Sequence, residues 1–93
     1  MTRYALRTDA NQTAVISALV AAGATVEVIG KPVDLLVGIR NQWILMEVKN
    51  GAKFKSAQKP TKAQEEFFKR WAGYPWAIVD GPEAALRALR VMK

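Results

Sequence analysis

Two runs in the middle of the chain, Val33 to Ile39 and Trp43 to Val48, are almost continuously Val, Ile, Leu and Trp, and only the polar triplet Arg40-Asn41-Gln42 separates them. Apolar and β-branched runs of this length, bounded by turn residues, predict two strands paired as an antiparallel hairpin. On either side the period changes. Thr8 and Asp9 are both candidate caps for a helix running to about Ala22, with Val15, Ile16, Leu19 and Val20 as its apolar stripe and Gly23 as a left-handed C-terminal cap. Thr25 to Ile29 alternates and is β-branched, which predicts a first strand ending at Gly30-Lys31-Pro32. Thr61 predicts the cap of a second helix to about Gly73, its apolar face supplied by Phe67, Phe68 and Trp71. Trp76 to Val79 reads as a short buried strand. Asp80-Gly81-Pro82 then turns into a last helix, with Pro82 at its first position and Leu86 and Leu89 facing inward. The expected order is α-β-β-β-α-β-α around a small mixed sheet, a single α/β domain over residues 1–93 without repeat or linker.

Charges interrupt this apolar pattern at two places. Glu47 lies inside the second run, in Met46-Glu47-Val48-Lys49, and Asp34 lies between Val33 and Leu35-Leu36-Val37. Strand alternation sends Glu47 and Lys49 to one face, and Met46 and Val48 to the other. An isolated carboxylate in such a setting costs several kcal/mol or more unless it is paired or holds a metal. One reading is a surface hairpin with a Glu47–Lys49 ion pair and Asp34 in a turn. The other is a chemical site in which Asp34, near the start of one strand, and Glu47, near the end of its antiparallel neighbour, lie side by side at one sheet end. The apolar neighbours of Asp34 favour the second.

Composition narrows the chemistry. The chain has no cysteine and no histidine, so disulfides, thiolate nucleophiles, histidine bases and zinc sites of the Cys/His kind are excluded. A metal would need oxygen ligands, which favours Mg2+ or Mn2+. Fourteen Lys and Arg against eight Asp and Glu give a net charge of +6, which suits a polyanionic partner, with nucleic acid the leading candidate. Lys49, Lys53, Lys55, Lys59 and Lys62 occupy a stretch without any acid. Such a run is either a solvated connection or a set of phosphate contacts, and its place directly after Glu47 favours phosphate contacts by Lys53, Lys55, Lys59 and Lys62. Phe54, between two of these lysines, is suited either to wedge against a nucleobase or to pack on a partner subunit. No run approaches the roughly 20 apolar residues that span a bilayer, and no charged segment leads into an apolar one at the start. A soluble protein that stays in the cytoplasm is expected.

The Asp34-Leu35-Leu36-Val37-Gly38 run, the Glu47-Val48-Lys49 run that follows, the basic stretch and Gln64 together resemble the PD-(D/E)XK nuclease superfamily. Within it they are similar to the virus-type replication-repair nuclease (VRR-NUC) group, which is related to Holliday junction resolvases. The resemblance covers nearly the whole chain. It implies a restriction-endonuclease-like domain and a Mg2+- or Mn2+-dependent endonuclease that hydrolyses DNA phosphodiesters, with branched or four-way junction DNA as the expected substrate. Standalone members are phage or bacterial proteins. By this resemblance Asp34 and Glu47 are metal ligands, the backbone carbonyl of Val48 is a further one, and Lys49 orients the attacking water or offsets developing charge. Gln64 has two readings. Thr61-Lys62-Ala63-Gln64 fits a capping box, while the resemblance sets Gln64 beside the active site, and the two roles are compatible. Many relatives carry a Glu in the first helix; here Asn11 stands nearest that position and is the candidate for a further, weaker metal ligand, with Asp9 and Gln12 beside it. The family's Pro before the first Asp stands one residue early, at Pro32. Symmetric cleavage of a junction needs two active sites, which implies a homodimer. The alternatives are a nuclease-fold DNA-binding protein without turnover and a basic adaptor that binds a protein partner through Phe54 and its lysines.

Overall fold

A computed structural model describes residues 10–49 and 61–92. Helix α1 (Ala10–Ala21) leads into strands β1 (Thr25–Val28), β2 (Leu35–Ile39) and β3 (Gln42–Val48); helix α2 (Lys62–Arg70), strand β4 (Trp76–Val79) and helix α3 (Pro82–Arg90) follow. The strands form one mixed sheet in the order β1-β2-β3-β4. β1, β2 and β3 are successively antiparallel, and β4 joins β3 in parallel. This is a small mixed α/β domain with one four-stranded sheet and three helices among the described residues, in the order expected. The stretch of Lys53, Phe54, Lys55 and Lys59, and the candidate caps Thr8 and Asp9, lie outside the described residues.

The two faces of the sheet are covered by different helices, because alternate side chains of β2 and β3 leave on opposite sides. Leu35, Val37, Ile44 and Met46 pack with Val15 and Leu19 of α1 and with Ala85 and Leu89 of α3. Leu45 and Val33 pack with Phe67 and Phe68 of α2, and Leu36, Trp71 and Trp76 join them. Phe68 stacks on Trp76 at 4.1 Å, and Phe67 on Trp71 at 5.6 Å. The indole N–H of Trp76 donates to the carbonyl of Trp71 at 3.2 Å, so the aromatic layer is also fixed by a polar contact.

Four local expectations change. The hairpin turn has two residues rather than three, since Ile39 pairs with Gln42 and both Arg40 (φ 53°) and Asn41 (φ 64°) adopt left-handed backbone. Such a turn matches the right-handed twist of the strands. An arginine there carries a penalty of roughly 1–2 kcal/mol, and the Arg40 guanidinium offsets it by donating to the carbonyl of Leu89 at 3.2 Å, at the negative end of α3. Helix α2 stops at Arg70, where the Trp71 N–H closes the last turn on the Phe67 carbonyl before Gly73 reverses the chain at φ 93°. Ile78 is 41% exposed because β4 is an edge strand, and of its four residues only Val79 is buried. In α1 the inward residues are Val15 and Leu19, whereas Val20 is 55% exposed. That helix carries apolar or small residues almost all round, so spacing alone did not fix its inner face.

Leu19→Ala should lower the unfolding free energy by about 2–5 kcal/mol in urea titrations, while Val20→Ala should stay within about 0.5 kcal/mol of the parent. Equal losses would mean that α1 is rotated from the position described.

Candidate active site at one end of the sheet

The last β2–β3 pair is Leu35 with Met46, so the next residues in register are Asp34 and Glu47. Asp34 is still anchored to the β1 side, where its carbonyl accepts from the amides of Ile29 (2.9 Å) and Gly30 (3.1 Å). Before it the chain bends away through Lys31, Pro32 and Val33. Odd-numbered residues of β3 turn their backbone toward β4, as the bonds from the Leu45 amide to Pro75 and from the Lys49 amide to Val79 show. Val48 therefore turns its amide toward β2, at a point where β2 has no further backbone to offer. The Asp34 side chain fills the gap: Oδ2 accepts from the Val48 N–H at 2.8 Å.

Glu47 is 6% exposed and is a buried charged residue within a buried stretch of β3. Its Oε2 lies 3.2 Å from Lys49 Nζ. The ion pair of the surface-hairpin reading thus exists, but both side chains are largely withdrawn from water, and it is the one ion pair among the described residues. Glu47 Oε1 is buried and has no hydrogen-bond partner among the described residues. Burial raises the pKa of Asp34 above its ordinary 3.8; the Val48 N–H opposes this, and the charge of Glu47 adds to the rise. A hydrogen bond donated by the protonated Asp34 carboxyl to Glu47 raises it further, while Lys49 lowers it.

The other candidate residues brace this arrangement. Asn11 Nδ2, in the first turn of α1, donates to the carbonyls of Lys49 (2.7 Å) and Asp80 (3.2 Å), tying together the points where β3 and β4 end. Both bonds use the amide nitrogen, and the amide oxygen lies on the side of Gly81. Gln12 is buried. Gln64 completes the capping box with Thr61, its N–H donating to Thr61 Oγ1 at 3.1 Å and its Oε1 accepting from the Thr61 N–H at 3.3 Å. Its Nε2 also donates to the Pro32 carbonyl at 3.3 Å, so α2 holds the bend that delivers Asp34. Lys62 is exposed at the start of α2. Asp80 and Arg87, which the sequence pattern did not single out, reach the neighbourhood of Lys49 only because β4 lies parallel to β3.

Among the described residues no group of three or more Asp, Glu, His or Cys side chains comes together. Two neighbouring carboxyl groups, one oxygen of which is buried without a partner among the described residues, nevertheless fit a hard divalent cation, which favours oxygen donors and removes the repulsion between them. Compared with family models, with curated proteins and with solved structures, the chain finds no match in any of the three.

The raised pKa of Asp34 fixes the sign of a pH effect. The native state holds the Asp34 proton more tightly than the unfolded chain, so this residue's contribution to stability is present below about pH 3.8 and is lost as pH rises through the higher native value. Asp34→Asn keeps an acceptor for the Val48 N–H and has no charge to bury. Without metal its urea midpoint should therefore exceed that of the parent at neutral pH, with the gap closing on acidification into the ordinary carboxylate range. A gap of opposite sign would show that the Asp34 charge is well solvated or well paired.

Proposed function

We propose that the chain is a metal-dependent endonuclease that hydrolyses DNA phosphodiester bonds, with branched or four-way junction DNA as its substrate and a homodimer as its working form. The observation that supports this reading is the meeting of Asp34 and Glu47, one step past the end of the β2–β3 ladder, beside Lys49 and with Glu47 Oε1 left without a partner among the described residues. A pair of like charges is an expensive thing to bury for structure alone. Asp34, Glu47 and the carbonyl of Val48 would hold Mg2+ or Mn2+. When bound, such an ion lowers the pKa of water and neutralises charge building on a phosphate.

The chain's own residues account for the rest. The Lys49 ammonium, held by Glu47, brings a fixed positive charge to where the phosphate gains negative charge during attack. The Val48 amide orients Asp34, and the bond from Gln64 to Pro32 keeps the approach to Asp34 in place, which makes Gln64 a positioning residue. The net charge of +6 draws the polyanion in, and Lys62 stands exposed at the start of α2, the helix whose Gln64 bonds to Pro32. A second reading, DNA binding without turnover, is favoured by one observation: Asn11, which stands nearest the family's additional ligand, spends its amide nitrogen on two backbone carbonyls.

Incubation with duplex, flap, single-stranded and four-way DNA in Mg2+ or Mn2+ tests the proposal. Cutting of at least one structure is expected, and Asp34→Asn, Glu47→Gln and Lys49→Ala should each slow it by about a hundredfold or more, with the two carboxylate variants still binding DNA. Their combined effects should fall far short of additive, since the three act as one unit. Metal-dependent cutting retained by two of the three variants would place the chemistry elsewhere, and salt-sensitive binding with no cutting by the parent would select the second reading.

A further inference from the structure

The Glu47–Lys49 end of β3 adjoins a second feature that the carboxylate site does not use. β4 runs parallel to β3 with Val48 opposite Val79, so both strands end together, and the chain turns from β4 through Asp80 and Gly81 into α3. The Lys49 N–H donates to the Val79 carbonyl at 2.8 Å, and Asn11 holds the Lys49 and Asp80 carbonyls, which fixes the two strand ends against each other. Between them and α3 is a cleft of about 310 Å³ lined by Lys49, Ile78, Val79, Asp80, Ala84 and Arg87. Arg87 stands three residues after Ala84, hence on the same face of α3. It makes no ion pair with any described carboxylate, including Glu83 one turn earlier.

We infer that this cleft receives a DNA phosphate adjacent to the one being cut, with Arg87 as its main ligand and Lys49 as the wall shared with the active site. This rests on the nuclease reading of Asp34, Glu47 and Lys49. The Lys49 ammonium is held by Glu47, so Arg87 is the cation of this cleft whose charge no described carboxylate takes up, and Asp80 is the single carboxylate of the lining. A guanidinium presents a planar fork of donors that suits two phosphate oxygens at once. Because Lys49 belongs to both places, a strand that fills the cleft is bound in continuous register with the carboxylates. Arg87 is thereby a binding residue that sets where along the strand the cut falls.

Arg87→Gln and Arg90→Gln make the test. Both remove one exposed positive charge from the same helix, but Arg90 lines a different cleft, with Arg40 and Leu86. Binding of fluorescent four-way and duplex DNA would be followed by anisotropy in EDTA across a salt series, and cleavage kinetics would be measured with Mn2+. Arg87→Gln should weaken binding about tenfold at low salt and reduce the slope of log affinity against log salt by about 0.9. It should raise KM more than it lowers kcat and shift or blur the cut position. Arg90→Gln should match the parent in each respect. Identical behaviour of the two variants, with cutting intact, would overturn the phosphate site and leave the nuclease reading standing. An Arg87-specific loss of affinity and slope in a protein that never cuts would sustain the phosphate site and overturn the nuclease reading. Absence of DNA binding by the parent would overturn both.

Discussion

The hydrogen bond from the Val48 amide to Asp34 Oδ2 stands where β2 stops supplying backbone partners to β3. An amide left unpaired at that partly buried position would cost about 1–3 kcal/mol, and a carboxylate is a strong acceptor for it. The same bond draws the Asp34 carboxyl beside Glu47, a residue that lies in the buried part of β3 and has one oxygen without a partner among the described residues. One polar requirement of the backbone is thus met by creating another, a pair of acidic groups that repel. Lys49 relieves part of that repulsion from one side. The remainder is the basis on which a divalent cation is proposed for this end of the sheet.

Much of the surrounding fold serves to keep this end of the sheet from relaxing. The apolar face between the sheet and α1 and α3 fixes β2 and β3 through Leu35, Val37, Ile44 and Met46. Asn11 then fastens α1 to the ends of β3 and β4, and Gln64 fastens α2 to Pro32. Each of these amides bonds to main chain rather than to either carboxylate, so the acidic pair is positioned by its supports without being neutralised by them.

The parts of this arrangement that depend on local pattern were legible in the sequence. The two apolar runs around Arg40 to Gln42 specify the hairpin, and once Asp34 and Glu47 are assigned to antiparallel strands their meeting follows from register. The capping box of Thr61 and Gln64 was readable for the same reason, since its partners are three residues apart. What was not legible depends on contacts distant along the chain. Arg40 tolerates a left-handed turn with the help of a carbonyl on α3. Ile78 is exposed because nothing in a short apolar run tells an edge strand from a central one. Val20 faces out because α1, apolar or small nearly all round, takes its orientation from α3 and the sheet rather than from its own spacing. The amide bonds of Asn11, and the approach of Arg87 to Lys49, likewise arise only from the parallel placement of β4.

The proposed function requires the Asp34–Glu47 pair to be a seat for a divalent cation. Titrating 15N-labelled protein with substoichiometric Mn2+ and recording amide spectra tests it most directly, since the paramagnetic ion broadens the signals of nearby nuclei whether or not any substrate is present. The amides of Asp34, Glu47, Val48 and Lys49 should broaden first, and Asp34→Asn or Glu47→Gln should abolish this selectivity. Broadening centred on another acidic residue such as Asp80 or Glu83, or spread evenly over the surface, would contradict it.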